Sequence, residues 1–227
     1  MSRFSNYILL ITFLYLGLNS YSQSSPAIGD TYRGGIIFYL DGNGGGLVAA
    51  PSDQSSGVVW GCFPNYINGA DGTAIGTGYQ NTIDIESDCY TDVTAADICA
   101  NLVLGSYSDW FLPSKDELNE MYLNIGPGNA LGLGNVGSFS YFDYYWSSSE
   151  KAPYVLGSYP YWSAWSQAFW TGNQNVNGAK GNLYHVRAVR AFTSTTYVPD
   201  DNFEAYLETH TAAGGLVTVG DPNSMGD

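Results

Sequence analysis

The most constraining feature of the sequence is a strand-to-helix junction with its stop and start signals in place. An aromatic and apolar run, Trp110–Leu112, stops at Pro113. Ser114 then offers an N-cap hydroxyl, and Glu117 three residues later completes a capping box. The junction therefore predicts a buried segment leading into a short helix that docks on the core through apolar positions at helical spacing: Leu118, Met121, Tyr122 and Ile125.

The composition favours an α+β fold with many loops. Aromatic residues make up 15% of the chain and charged residues only 12%, with 19 Tyr and 28 Gly. Tyr and Trp supply ample surface to bury, and strand-favouring aromatic residues with frequent glycine turns are typical of a loop-rich fold with much β structure. The net charge of −14 and the absence of a basic run argue against a nucleic-acid partner.

Several segments are predicted as strands. Gly34–Leu40 and Leu47–Ala50 flank a glycine-rich turn and predict a hairpin. Further strands are predicted in the aromatic second half, while residues 171–175 are expected to turn the chain; these strands are Tyr144–Glu150, Ala164–Trp170 and Tyr184–Phe192.

Two further helices are indicated before the junction. Tyr79–Asp88 is compatible with a helix whose clearest apolar position is Ile83. A second helix around Cys99 carries a loose capping pair, Thr94 and Asp97, at its start.

The N-terminus has the pattern of a secretory signal peptide over residues 1–22. Arg3 supplies a positive charge, and an apolar stretch of about a dozen residues, Tyr7–Leu18, is too short for a comfortable membrane span. Cleavage after Ser22 removes Arg3 and no acid, which takes the net charge from −14 to −15. We therefore expect an extracellular or cell-surface protein without membrane insertion after cleavage; a retained anchor is the alternative.

Export permits disulfides, and the chain has 3 cysteines. Cys99 lies on the apolar face of its predicted helix and is interpreted as a buried thiol. Cys62–Cys89 is therefore the preferred bridge.

No cofactor is expected. The turn Asp41–Gly46 and the alternating Asp84, Glu86 and Asp88 raise the possibility of calcium, but the turn lacks the regular oxygen ligands of an EF-hand loop. A plain turn and a solvated acidic face are favoured for these two stretches.

Two of the 7 basic residues, Arg187 and Arg190, occur in the last predicted strand. In so aromatic a strand each arginine is expected to pair with a carboxylate or cover a ring, with Glu150 as a candidate partner. A ligand clamp is the functional alternative.

A series of motifs resembles a known bacterial family. The residues look like the bacterial domains of unknown function typified by the C-terminal domain of the Legionella collagen-like adhesin. The resemblance covers about residues 28–193, and a weaker one relates the tail from Tyr197 to a segment that precedes leucine-rich-type repeats in Bacteroidetes surface proteins. The motifs that carry the main resemblance are Trp60–Cys62, Ile75–Gly78, Asn81-Thr82, Ala95–Cys99, Trp110–Leu118, Tyr145–Glu150 and Val186–Phe192.

This resemblance implies a C-type lectin-like fold over residues 26–193: a twisted antiparallel sheet with two helices and long loops rich in glycine and aromatic residues. Residues 194–227 are then a linker and the incomplete start of a second module. The adhesin domain is associated with sulfated glycans, which call for basic residues, whereas this chain has 21 acidic residues and 7 basic ones. The sugar-binding motifs of true C-type lectins do not occur, so the resemblance transfers no ligand residue.

The resulting hypothesis is a secreted or cell-surface adhesion module that recognises a glycan or another surface macromolecule. Rings on an irregular loop would stack on sugar faces. The predicted binding residues are Tyr154, Tyr159, Tyr161 and Trp162. A purely structural module of a larger adhesin is the alternative, and an enzyme, for example one with a Ser-His-Asp arrangement around His185 or with paired carboxylates, is less favoured.

Overall fold

The computed structural model describes residues 25–90, 93–151 and 163–193. These residues form an α+β fold. Its strands are β1 (Thr31–Tyr32), β2 (Gly35–Leu40), β3 (Gly46–Ala49), β4 (Ser55–Val58), β5 (Tyr144–Glu150), β6 (Ser163–Ala168), β7 (Gln174–Ala179), β8 (Tyr184–Val186) and β9 (Val189–Phe192), and its helices are α1 (Gly78–Asp88), α2 (Ala95–Ala100) and α3 (Lys115–Asn124). The described part thus holds three helices, as the residue patterns predict and one more than the C-type lectin-like resemblance implies.

The strands are arranged in two sheets. The four-stranded sheet has the order β1-β2-β3-β9, and the five-stranded sheet has the order β4-β8-β5-β6-β7. All pairings are antiparallel except that of β5 with β8. The predicted hairpin is confirmed as β2 and β3, with a register shift between Ile37 and Tyr39.

The single strand predicted over Tyr184–Phe192 is wrong in one respect, because the structure divides it into β8 and β9 in different sheets. β9 pairs with β3, whereas β8 pairs with β4. Pro51, which has no N–H to donate, lies between β3 and β4. On either side of it the Ala50 N–H donates to the Ala188 carbonyl and the Gln54 N–H donates to the Val186 carbonyl, each at 2.9 Å.

Both predicted capping boxes are present. Thr94 and Asp97 cap α2, while Ser114 and Glu117 cap α3. The Glu117 side chain is fully buried, and both of its carboxylate oxygens are bonded. Oε2 accepts from the Ser114 N–H in the capping box, and Oε1 accepts a 2.8 Å hydrogen bond from the backbone N–H of Gly76. This carboxylate therefore ties α3 to the loop before α1 and is not part of a solvated face.

Two local predictions need correction. On α1 the apolar side chain that docks on the core is that of Ile85, whereas Ile83, the apolar position singled out in the sequence, is 41% exposed. The polar stretch after residue 173 was expected to turn, but β7 begins at Gln174 because its backbone pairs with β6.

Strand β5 separates two apolar clusters. Its alternating side chains place Trp146 in the cluster with Trp60 and Tyr145 in the cluster with Phe169. The Trp60 indole N–H donates to the Ser147 carbonyl at 2.8 Å, and that of Trp146 donates to the Val58 carbonyl at 2.9 Å. These bonds satisfy the polar atoms of both buried indoles.

The preferred disulfide is confirmed. Cys62 and Cys89 are bridged, and Cys99 is a buried free thiol. Because Cys89 is the C-cap of α1, the bridge ties the end of this helix to the loop after β4.

Candidate functional site

The four aromatic residues predicted to bind a ligand, Tyr154, Tyr159, Tyr161 and Trp162, lie outside the described residues. Their role in binding therefore stays a prediction. The strands before and after them in the sequence are β5 and β6. A candidate site lies at the opposite end of these two strands, where β5 begins and β6 ends.

The expectation for the two arginines is confirmed, but the proposed partner is wrong. Arg187 binds Asp53, with Nε to Oδ1 at 2.7 Å, and its guanidinium covers the Phe139 ring. Arg190 makes a two-pronged bond to the Asp109 carboxylate at 2.7 and 2.8 Å.

Glu150 pairs instead with Lys180, and both side chains are fully buried. The Ile67 N–H donates to Glu150 Oε2 at 2.7 Å, and Lys180 Nζ donates to the Asn65 carbonyl at 2.6 Å. Burial raises the pKa of Glu150 to about 7 and lowers that of Lys180. The pair holds the loop after β4 on the sheet, which is a structural role.

His185 lies between two carboxylates. Its Nδ1 is 3.0 Å from Asp53 Oδ2, and its Nε2 is 3.2 Å from Asp143 Oδ2. Among the described serines, Ser140 is near this cluster, but its hydroxyl contacts Asp143. Both imidazole nitrogens are thus engaged by carboxylates, and the arrangement differs from a catalytic triad, in which one nitrogen must face a serine hydroxyl.

The candidate site is an open cleft of about 570 Å³ where β5 begins and β6 turns into β7. We call it the Tyr144 cleft. Its lining combines two half-buried rings with hydroxyl and amide side chains: Tyr144, Ala168, Trp170, Thr171, Asn173, Gln174 and Asn175.

The rings of the Tyr144 cleft are held by their neighbours. Tyr144 meets Trp170 edge to face, with ring centroids 4.7 Å apart and planes at 81°. It also stacks on Tyr184 at 4.8 Å and 27°. In turn, Tyr184 packs on the buried Trp146 at 4.4 Å, so the aromatic surface is anchored in the core.

The β6–β7 turn that carries the polar side chains is also well defined. The Ala168 N–H donates to the Asn173 carbonyl at 3.0 Å, and the Gly172 N–H donates to the Ala168 carbonyl at 2.8 Å. Gly172 has φ +76°, and a Cβ added there would overlap the Tyr122 ring. The Gln174 amide is fixed by a 2.8 Å bond to the Lys115 carbonyl.

The chemistry of this lining is that of an uncharged polar site. Tyr, Thr, Asn and Gln side chains donate and accept hydrogen bonds, and none of the lining residues carries a charge. In the described ranges, no group of three or more His, Cys, Asp or Glu is placed to hold a metal ion. The Tyr144 cleft can therefore present ring faces and amides to a neutral, hydroxyl-rich molecule.

Sequence reasoning predicted β5 and β6 but neither β7 nor the cleft. Tyr144 and Trp170 were assigned to predicted strands and Asn173–Asn175 to a turn, so no residue of the cleft was singled out. A usable signal was present: an aromatic residue directly before the turn Thr171–Asn175, which is rich in hydroxyl and amide groups.

A scan against protein-family models and a search of curated proteins found no match to this chain. Among the helices that the structure describes, none has the length and apolar character needed to cross a membrane. The case for a function therefore depends on the geometry of the site and on the sequence motifs.

Proposed function

We propose that this chain is a secreted or cell-surface binding module of C-type lectin-like fold, and that its Tyr144 cleft binds an uncharged glycan. The observation that carries the proposal is the lining of the cleft, in which Tyr144 and Trp170 stand beside Thr171, Asn173 and Gln174. The α+β fold with its mainly antiparallel sheets supports the lectin-like part of the proposal, as do the motifs of the sequence. The disulfide supports export.

The binding mode follows from the side chains. A pyranose ring has an apolar C–H face, which packs on an aromatic ring, and a rim of hydroxyl groups, which bond to amides. The Tyr144 and Trp170 rings would pack against the apolar face of the sugar, and the side chains of the turn would hydrogen-bond its hydroxyl groups. Because the turn and the rings are already held in place, little ordering entropy would be lost on binding.

The absence of charge from the cleft lining limits the class of sugar. A sulfated or carboxylated glycan needs cationic partners, whereas the lining offers none and the chain as a whole carries −14. Calcium-mediated recognition of sugar hydroxyls needs carboxylate ligands, which the lining also lacks. We therefore propose that binding is independent of calcium and only weakly dependent on salt.

A glycan array carrying neutral and sulfated saccharides tests the proposal. We expect neutral saccharides to bind, with unchanged signals in a chelator. Trp170→Ala should weaken binding by about tenfold or more, as for the loss of one aromatic stacking contact. The matched control is Tyr90→Ala, since Tyr90 is 94% exposed and lies outside the cleft.

Three results would count against the glycan site: no neutral ligand on the array, equal effects of Trp170→Ala and Tyr90→Ala, or binding only to sulfated glycans. The first would favour the alternative, a structural module of a larger adhesin. Loss of all binding in the chelator would contradict the metal-independent mode alone.

A further inference from the structure

A second cleft lies along helix α1, and its lining is mainly apolar and acidic, whereas that of the Tyr144 cleft is polar and uncharged. It consists of two adjoining parts of about 440 and 310 Å³ that share Tyr79, Asp109 and Phe111. We call it the α1 cleft. Both volumes fall in the range of small-ligand and side-chain pockets, about 300–1,000 Å³.

The walls of the α1 cleft are mainly apolar. Tyr79 is 54% exposed and sets its ring edge to face against Phe111, with centroids 5.8 Å apart. Ile83, the clearest apolar position of the predicted helix, is exposed here and lines the larger part together with Trp110. Leu47 and Ala191 line the smaller part. The cleft thus explains why α1 shows an apolar side chain to solvent.

One carboxylate of the cleft has an unmet hydrogen-bonding capacity. Glu86 lines the larger part, and its Oε1 is buried without a hydrogen-bond partner among the residues that the structure describes. The other carboxylate in this part, Asp109, is already bound by Arg190 through both oxygens. Oε1 itself is shielded from solvent, so a ligand would meet the charge of this carboxylate and not a free lone pair. Because Glu86 also lies beside the Asp97 carboxylate, a cation at this edge of the cleft would be favoured.

We propose that the α1 cleft is a binding site for a partner polypeptide, specifically for a segment in which an aromatic side chain stands next to a lysine or arginine. The apolar walls at Tyr79, Ile83 and Phe111 would take the ring. The neighbouring cation would lie against the adjacent Glu86 and Asp97 carboxylates. The net charge of −14 would steer such a basic segment toward the protein. This site is separate from the Tyr144 cleft and does not depend on the proposed glycan function.

The surroundings of Glu86 make this binding dependent on pH. Burial, with hydrogen bonding to Asp97 and the charge of Asp97, raises the pKa of Glu86 to about 7. Cys99 on α2 also faces Glu86, and burial raises the pKa of its thiol. The other titratable groups of the cleft are Tyr79, Asp109 and Glu117, and burial raises the pKa of Glu117. A cation prefers ionised Glu86, so affinity should increase as the pH rises from 6 to 8.

Titration with labelled short peptides, followed by fluorescence anisotropy, tests the proposal. The probe has a Lys-Phe-Lys core, and the controls carry Glu-Phe-Glu and Lys-Ala-Lys. We expect saturable binding of the first peptide, and at least about tenfold weaker binding of both controls, since each lacks either the charge-assisted bond or the ring. Equal binding of Lys-Phe-Lys and Lys-Ala-Lys would overturn the proposal, because the cleft would then contribute nothing beyond charge.

Matched variants locate the site. Glu86→Gln and Tyr79→Ala should each weaken the Lys-Phe-Lys peptide by about tenfold. Asp84→Asn removes a charge from the same helix outside the cleft lining. It should change affinity by less than about twofold, because Asp84 is half-exposed, is bound by Gln80 and acts on the cleft only through a screened charge. Tyr90→Ala is the aromatic control.

If Asp84→Asn costs as much as Glu86→Gln, or Tyr90→Ala as much as Tyr79→Ala, the peptide does not occupy the α1 cleft. Circular dichroism of each variant verifies that it is folded. Because the replaced side chains lie outside the Tyr144 cleft, glycan binding should be unchanged in all of them.

Discussion

The Tyr144 cleft and the α1 cleft are similar in volume but opposite in chemistry. The first is lined by two rings with hydroxyl and amide groups and carries no charge. The second has apolar walls and three carboxylates, Glu86, Asp109 and Glu117. Asp109 is bound by Arg190 and Glu117 by backbone N–H groups. Size alone would not distinguish them. The charge and hydrogen-bonding capacity of the lining determine which class of ligand each cleft can take.

The two clefts also differ in what supports them. The Tyr144 cleft depends on a hairpin turn and on rings anchored by Trp146. The α1 cleft depends on a helix whose C-terminal end is tied down by the Cys62–Cys89 bridge. A change that loosens one support should therefore impair one cleft more than the other.

The largest expected effect is that of removing the disulfide. Its sequence separation is 27 residues, for which the chain-entropy relation gives a loss of about 3–4 kcal/mol in the free energy of unfolding. Denaturant titration with and without reductant measures this loss. Peptide binding at the α1 cleft should be weakened more than glycan binding at the Tyr144 cleft, because Cys89 caps α1.

The control is the double variant Cys62→Ser and Cys89→Ser, which should be insensitive to reductant, since the remaining Cys99 is a free thiol. Equal weakening of both sites by reductant would show that the bridge supports the whole fold and not α1 in particular.

A smaller effect is expected for Gly172→Ala in the β6–β7 turn. The left-handed φ of +76° and the overlap of the added Cβ with the Tyr122 ring should together lower the free energy of unfolding by about 2–3 kcal/mol. Glycan binding should fall and peptide binding should persist. Gly132→Ala is the matched control, because Gly132 has the same φ of +76° with no atom within 4 Å of the added Cβ.

Thermal melts of the two glycine variants separate clash from backbone strain. Gly132→Ala should cost only about 1 kcal/mol, the penalty of a left-handed alanine. If both variants lose the same stability, Tyr122 moves aside without cost, and the turn is less rigid than its contacts imply.

The smallest effect concerns Glu86 and pH. Its pKa in the folded state is raised from the ordinary 4.5 to about 7. The folded protein therefore binds more protons than the unfolded chain between these values, and stability from the neutral carboxyl is lost as the pH rises through 7. The Gln side chain of Glu86→Gln cannot ionise. The melting temperature of this variant minus that of the wild type should therefore increase from pH 5 to pH 8.

The same series on Asp84→Asn gives the baseline for removing one acid from α1. A difference between Glu86→Gln and wild type that stays constant with pH would mean that Glu86 titrates normally. The pH dependence of peptide binding at the α1 cleft would then have to come from another group.

Local signals predicted much of the fold. A few neighbouring residues are enough to specify the capping boxes at Thr94 and Ser114 and the hairpin of β2 and β3. All three features are present in the structure. The disulfide followed from the helical position of Cys99. Predictions were wrong where the outcome depended on a distant partner: β8 and β9 separate because β3 and β4 do, and β7 forms because β6 lies beside it.

The ion pairs show the same contrast between what neighbouring residues predict and what depends on a distant partner. The sequence indicated that Arg187 and Arg190 need carboxylates or rings, and both have them. It could not select among 21 acids, and Glu150 belongs to Lys180. Pairing between residues far apart in the chain is determined by which segments the sheets bring together.

By itself, then, the sequence determined an α+β chain, its helix caps, its disulfide and the types of partner its charges require, because these depend on residues close together in the chain or on composition. The tertiary structure decided which surfaces are concave. Tyr144 begins β5, whereas Trp170 lies in the β6–β7 turn. Tyr79 and Glu86 lie on α1, whereas Asp109 lies in a distant loop. These side chains line a common cleft only after the sheets and the helix have packed, because they come from segments that are far apart in the chain.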